Sequence, residues 1–177
     1  MKIIWVINGL VSIAANIYNN SASQSGGWIE KALQQLRPHI DKGDVELHVF
    51  AAIKNEEKHV VFAPHCEFHF MKWTKGNIGD MPAHQDENNF HRYMDIIRPD
   101  LIMLWGSEYS FTYSGSKYAM EKKIPLLLYV QGVVNSFRGH FNGDLSTDEM
   151  AKKLSVVDRF KLVQVQQYYC LLYTSAD

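Results

Sequence analysis

Residues 99–105, Pro-Asp-Leu-Ile-Met-Leu-Trp, and residues 125–130, Pro-Leu-Leu-Leu-Tyr-Val, share one design in which a proline opens a nearly continuous apolar run. Such runs are typical of central strands in a parallel sheet, which are buried on both faces. Helical sequence from about Tyr109 to Lys123 separates the two runs. Because neighbouring parallel strands need a crossover connection of about a dozen or more residues, this stretch predicts a βαβ unit.

Strand-like patterns continue toward the N-terminus. An apolar run at residues 2–8 predicts a first strand, and alternating apolar and polar residues at 45–50 predict a second. Residues 59–62 and 67–73 are shorter candidates. With helices between them, these segments predict an α/β fold, namely a Rossmann-like, mainly parallel sheet with helices on both faces.

Two segments among the first hundred residues have the 3.6-residue periodicity of an amphipathic helix. The first runs from Trp28 to Leu36, and Pro38 should limit how far it extends. The second covers residues 90–97 and should end before the next proline. The polar stretch at residues 74–89 predicts a loop ahead of this second helix.

The composition of the chain excludes several classes of protein. The chain has 177 residues, enough for one domain with a core, and 46% of them are hydrophobic and 21% charged. A formal net charge of −1, without a basic stripe, argues against nucleic-acid binding. Two cysteines form no disulfide framework, and no stretch has the length of a signal h-region or a membrane span. We therefore expect a cytoplasmic protein.

Polar, glycine-containing segments follow three of the predicted strands. The long loop after the first strand ends in Ser25-Gly26-Gly27, ahead of a helix start whose N–H groups and dipole favour an anion such as a diphosphate. The other two segments are Gly106-Ser107-Glu108 and Gln131-Gly132. Since ligands of open α/β sheets bind beyond the carboxyl ends of the strands, all three should converge on one crevice. A flexible surface loop with a glycine cap is the alternative interpretation of the first segment.

Neither the dinucleotide-binding fingerprint nor the P-loop pattern occurs in the chain. Three segments, in this order, instead carry a resemblance: SGGWIEKALQQL at 25–36, RPDLIMLWGSEYS at 98–110 and IPLLLYVQGVV at 124–134. Together they resemble the N-terminal domain of a GT-B glycosyltransferase of the family-4, retaining type. The resemblance covers roughly residues 1–160.

The resemblance implies a two-domain enzyme that transfers sugar in the cleft between its domains. The N-terminal domain of such enzymes mainly binds the acceptor, and the C-terminal domain holds most of the nucleotide-sugar donor. Gly26 and Gly27 would approach the donor diphosphate. Gln131 and Gly132 would lie near the donor sugar, at a position that is often a histidine in the family. A glutamine can bind a sugar hydroxyl but cannot act as an imidazole-type base.

The acceptor side of the site would be formed by residues that follow the strand ends. Glu108, beside Tyr109, can accept hydrogen bonds from acceptor hydroxyls, and Arg138 can pair with an anionic substituent. A local salt bridge or helix cap is the alternative interpretation of both charged residues. The expected partners are a nucleotide-diphosphate sugar and a glycan or lipid-linked acceptor, with no cofactor, no metal and no nucleic acid. A lipid-linked acceptor would also allow peripheral contact with the inner face of the membrane.

The expected domain organisation is an N-terminal, acceptor-side domain at residues 1–160 and a tail at 161–177, with the C-terminal donor domain absent. The end of the tail resembles translated adapter DNA, which suggests a truncated reading frame. A frayed native terminus is the alternative. Two other functions remain open: a nucleotide-sugar epimerase of the same two-domain plan, and a non-catalytic nucleotide- or sugar-binding module.

One metal-like pattern, His65-Cys66-x-x-His69, occurs in the chain. On a strand, His65 and His69 would share one face and Cys66 would point to the other. Because no second ligand pair follows at zinc spacing, we interpret this pattern as structural.

Overall fold

A computed structural model of the chain describes residues 1–7, 27–54, 56–74, 81–106 and 109–129. The proposed domain boundary near residue 160 and the tail at 161–177 lie outside these ranges. The described elements are, in chain order, β1 (Lys2–Ile7), α1 (Gly27–Asp41), β2 (Glu46–Ile53), β3 (Lys58–Ala63), β4 (Cys66–Lys72), α2 (His84–Ile97), β5 (Leu101–Trp105), α3 (Ser110–Lys122) and β6 (Leu126–Tyr129).

The six described strands form one sheet in the order β3-β4-β2-β1-β5-β6. Strands β4, β2, β1, β5 and β6 run parallel to one another, and the edge strand β3 runs antiparallel to β4. This arrangement confirms the predicted α/β fold with a mainly parallel sheet. Strand β1 lies between β2 and β5. The chain therefore adds β2 on one side of β1 and later adds β5 on the other side.

Helices cover both faces of the sheet, as predicted. Helix α1 packs on one face through Ile29, Leu33 and Ile40, over the side chains of Trp5 and Val49. Helices α2 and α3 cover the other face, where Phe90, Met94, Phe111 and Tyr118 join Ile4, Val6, Ile102 and Leu104. Because both faces are covered, β1 and β5 can be apolar along nearly their whole length.

Helix α1 extends past Pro38 and ends at Asp41, so the predicted limit at this proline is wrong. A proline inside a helix removes one backbone hydrogen bond and costs about 3 kcal/mol or more. Burial of Ile40, which is fully inaccessible to solvent, offsets this loss in the added turn. Gly43, at a φ of 77°, then closes the helix by donating its N–H to the carbonyl of Ile40 at 2.9 Å.

Helix α2 begins at His84, two turns earlier than its apolar pattern predicts. The loop predicted for residues 74–89 is therefore wrong over its last six residues. These six residues are polar because side chains among them contact residues outside the helix, and not because they form a loop. Asp86 accepts the backbone N–H of Thr74 at 2.7 Å, and the buried Glu87 pairs with Lys117 of α3 at 3.1 Å.

Strand β6 differs from the prediction of a strand buried on both faces. Its four side chains are between 37% and 50% exposed. Within the described ranges β6 is the outermost strand on its side of the sheet, and neither apolar core cluster includes any of its side chains. The apolar run predicted a strand correctly, but its burial depends on neighbours that the local pattern does not encode.

Candidate functional site

Three parallel strands end together at the carboxyl edge of the sheet. Ile7 of β1 is in register with Trp105 of β5, which in turn is in register with Tyr129 of β6. Gly106 leaves β5 at a φ of 97° and donates its N–H to the carbonyl of Tyr129 at 3.0 Å. Such a φ is left-handed and favours glycine at this strand-end turn.

The strand order reverses direction between β1 and β5. The connection after β1 leads to α1 and then to β2 on one side, whereas β5 lies on the other side. In open α/β sheets, the connections that leave two such strands diverge and open a crevice beyond their carboxyl ends. The carboxyl edge at β1 and β5 is therefore the candidate ligand-binding crevice.

Two helices begin at this edge. The connection that follows α1 lies at the amino edge, where the Met1 ammonium donates to the Asp44 carbonyl at 3.0 Å. Since the 15 residues of α1 span about 22 Å, its first residue, Gly27, lies toward the opposite, carboxyl edge. Helix α3 follows the carboxyl end of β5, with Tyr109 at its N-cap position in an extended conformation.

Gly27 and Tyr109 are thus the two predicted site residues whose positions are described. Gly27 is exposed, and a Cβ built on it would have no atom within 4 Å. Tyr109 is half-buried. The remaining predicted site residues lie outside the described ranges: Gly26, Glu108, Gln131, Gly132 and Arg138.

The start of α3 is anchored to the neighbouring part of the sheet. The buried indole N–H of Trp73, directly after β4, donates to the Ser110 hydroxyl at 2.7 Å. The Trp73 ring also packs edge-on against Phe111, with ring centroids 4.7 Å apart. One hydrogen bond and one aromatic contact therefore hold the first turn of α3 at the carboxyl edge.

Aromatic side chains lie beside this edge on the face that α1 covers. The rings of Trp5 and Trp105 meet edge to face at 5.0 Å, and Trp105 contacts Tyr129 at 5.1 Å. Tyr129 is 42% exposed, so its ring is accessible at the end of β6. An exposed ring next to a crevice can stack on the apolar face of a sugar or a base.

A second polar cluster lies on other strands, in the first half of β2 and at the start and middle of β4. His48 Nδ1 is 3.1 Å from His69 Nε2, and Glu67 Oε2 lies 3.5 Å and 3.7 Å from these two nitrogens. Both histidines are buried. His59 on β3 approaches Glu67 Oε2 through its Nε2 at 2.9 Å. We call His48, Glu67, His69 and His59 the histidine cluster.

A hydrogen bond to Glu46 and two ring stacks also hold this cluster in place. His48 donates from Nε2 to the Glu46 carboxylate at 3.0 Å. The His69 ring is stacked between Phe50 and His59, at centroid distances of 4.4 and 4.6 Å. Burial lowers the pKa of His69 to about 3, helped by the nearby His59 and His48, so this imidazole is neutral at neutral pH.

The sequence interpretation found only part of this cluster. His65 lies in the turn before β4, at a φ of 62°, rather than on a strand face shared with His69, so that placement is wrong. Cys66 starts β4 and is buried on the α1 face. Glu67 lies two residues before His69 on β4, whereas His48 and His59 come from the neighbouring strands β2 and β3. For these two histidines, strand pairing was the missing signal.

Comparisons with known proteins leave the family open. No protein-family model and no curated protein matches the chain. The chain is similar to a solved structure of sucrose-phosphate synthase from Thermosynechococcus elongatus, at 14% identity and a TM-score of 0.48, over 78% of this chain and 35% of that one. It thus spans about a third of that structure. A second sucrose-phosphate synthase structure from this organism matches at 13% identity and a TM-score of 0.42, over 97% of this chain and 99% of that one.

Similarities of this strength, with TM-scores below 0.5, assign neither a family nor a reaction. The fold class rests instead on the order and direction of the strands. Among the residues described, no helix has both the length and the apolar character needed to cross a bilayer.

Proposed function

We propose that this chain forms the acceptor-side half of a glycosyltransferase. The complete enzyme would move a sugar from a nucleotide-diphosphate donor to a hydroxyl of a glycan or lipid-linked acceptor. The observation that carries the proposal is the shared carboxyl edge of β1, β5 and β6, from which α1 and α3 begin. The described parts of the three glycosyltransferase-like segments support this proposal, because Gly27 begins α1 toward this edge, and Gly106 and Tyr129 meet at the ends of β5 and β6.

On this proposal the donor diphosphate lies against the N-terminus of α1. Gly26 and Gly27 let the phosphate oxygens approach the backbone, and the positive end of the helix dipole favours their charge. The open space around Gly27 is consistent with this role. Gln131 and Gly132 would contact the donor sugar, with the Gln131 amide as a hydrogen-bonding group rather than a base.

The acceptor would be oriented by Glu108, Tyr109 and Arg138, with Tyr129 as an additional stacking surface. Catalysis in such a site rests on aligning the acceptor hydroxyl and on stabilising the departing diphosphate. Most donor contacts would come from a second domain. Because ligand affinity needs convergent, desolvated groups, the 177-residue chain alone should bind nucleotide sugars weakly and transfer no sugar.

The diphosphate role is tested by Gly27→Asp in a protein that joins this chain to its donor domain. An aspartate at the first residue of α1 suits the helix dipole, so the variant should fold, but its carboxylate would repel the diphosphate. We expect a higher KM for the nucleotide sugar. The matched control is Gln35→Asp, at another exposed position of α1. Unchanged donor kinetics in Gly27→Asp would refute the glycine-loop role.

Assays of residues 1–177 separate the alternatives. A non-catalytic module would bind a nucleotide or sugar tightly without a second domain. An epimerase extended by its second domain would convert the nucleotide sugar without any acceptor, whereas a transferase would require one. Robust sugar transfer by the 177-residue chain itself would show that a complete active site is already present and would refute the half-site proposal.

A further inference from the structure

We propose that His48, Glu67 and His69 bind one Zn²⁺ ion, at a site on β2 and β4 rather than at the ends of β1 and β5. The inference is independent of the glycosyltransferase proposal, since it uses none of the residues assigned to the donor or the acceptor. It rests on the distances between the three ligand atoms, on the hydrogen bond that orients His48, and on a pocket beside His69.

The spacing of the three ligand atoms suits the ion. His48 Nδ1, His69 Nε2 and Glu67 Oε2 form a triangle with sides of 3.1, 3.5 and 3.7 Å. The centre of this triangle is about 2.0 Å from each corner, which is the length of a zinc bond to imidazole nitrogen or carboxylate oxygen. Two imidazoles and one carboxylate are also a ligand set that zinc accepts, with a fourth position open.

The hydrogen bond between His48 and Glu46 prepares His48 for a metal. Because Nε2 donates to the Glu46 carboxylate, a neutral His48 presents an unprotonated Nδ1 toward Glu67 and His69. Nδ1 and the Glu67 carboxylate are then two acceptors facing each other at 3.5 Å. A proton on His69 Nε2 can satisfy the 3.1 Å contact with His48 Nδ1 but not the contact between His48 Nδ1 and Glu67. A cation at the centre of the triangle would bind all three atoms. A carboxylate behind a ligating histidine is the usual outer partner of such a ligand.

Residues around the three ligands hold them in place and leave a path for the ion. The His69 ring is fixed between Phe50 and His59, and His59 holds the Glu67 carboxylate in place. A pocket of about 120 Å³, lined in part by His59, His69 and Tyr93, opens beside the cluster and offers an entry path. The ion would join β2 to the β3–β4 hairpin, so its effect should be structural.

Zinc titration of the metal-stripped 177-residue chain tests the proposal. We expect saturable binding of one equivalent by calorimetry, a Tm that rises with zinc concentration, and a visible absorption spectrum of tetrahedral type when Co²⁺ replaces zinc. Glu67→Gln keeps the shape of a partly exposed side chain and should fold, yet it should abolish one-equivalent binding. Glu46→Gln should weaken binding about tenfold to a hundredfold, as for other outer partners.

The control is His84→Ala, an exposed histidine of α2 outside the cluster, which should leave zinc affinity unchanged. Glu67→Gln decides the question without any change to the buried His48 or His69. The proposal is overturned by an absence of saturable binding. It is also overturned if Glu67→Gln binds as the parent chain does, or if His84→Ala loses as much affinity, because either result would assign the binding to surface histidines.

Discussion

Gly115 of α3 lies directly against Leu104 of β5, so that a Cβ on this glycine would stand 2.9 Å from Leu104 Cδ2 and 3.3 Å from Val6 Cγ2. Both neighbours are buried in the core. The missing side chain therefore lets α3 approach the sheet closely at the centre of the fold.

We expect Gly115→Ala to destabilise the protein. Alanine favours a helix interior by about 1 kcal/mol, but overpacking a closed core costs about 1–3 kcal/mol. The net loss should be about 1 kcal/mol in the free energy of unfolding, measured by urea denaturation. Gly27→Ala is the matched control, since its Cβ would meet nothing within 4 Å and stability should not fall. Equal stability of the parent and Gly115→Ala would contradict the close-packing argument.

Ser110→Ala should loosen the start of α3. The change leaves the buried Trp73 indole N–H without its acceptor at 2.7 Å, and an unsatisfied buried donor costs about 1–3 kcal/mol. Ser116→Ala is the control on the same helix, because its hydroxyl donates to the local carbonyl of Tyr113 and its loss should cost under about 0.5 kcal/mol. Denaturant midpoints measure both effects. Similar losses in the two variants would mean that the Trp73 bond does not anchor the helix.

Asp95 should make a small, pH-dependent contribution to stability. Hydrogen bonds from Lys122, at 2.7 Å, and from Tyr118, at 2.9 Å, lower the pKa of its carboxyl group. Because the folded pKa lies below the unfolded value of about 3.9, the contribution is complete above that value. It is lost as the pH falls through the folded pKa. Asp95 is 52% exposed, so solvent screening limits it to about 0.5 kcal/mol.

Urea unfolding of the parent and of Asp95→Asn at about pH 7 and about pH 2 checks this sign. The parent should be the more stable protein at the higher pH, and the difference should shrink at the lower pH. Lys122→Met added to Asp95→Asn should cost less than Lys122→Met alone, because the partner is already gone. A stability difference that grows on acidification would contradict the assignment.

Cys66 should resist thiol reagents in the folded protein. Its side chain is 1% exposed, and burial raises the pKa of its thiol to about 11, so little reactive thiolate forms near pH 8. In a Cys170→Ser background, labelling of Cys66 by a disulfide reagent should be slow in buffer and fast in denaturant. Rapid stoichiometric labelling without denaturant would show that the start of β4 opens readily.

Local sequence patterns determined most of the sheet and the placement of its edge. The continuous apolar runs at residues 101–105 and 126–129 are parallel neighbours, as predicted, because strand-length apolar runs separated by a helix-length crossover favour a βαβ unit. The order of strands and connections likewise puts Gly27 and Tyr109 toward one edge, since helices that join parallel strands start at their carboxyl ends. The chemical roles of these two residues remain predictions.

Tertiary contacts decided what the local pattern could not. The first two turns of α2 are helical through contacts such as Glu87 with Lys117, and α1 continues past Pro38 to bury Ile40. The histidine cluster depends on the register that sets His48 beside Glu67, 19 positions apart in the chain. Apolar periodicity encodes which face of an element is buried. It does not encode which distant polar groups meet across two strands, because that depends on the pairing of whole segments.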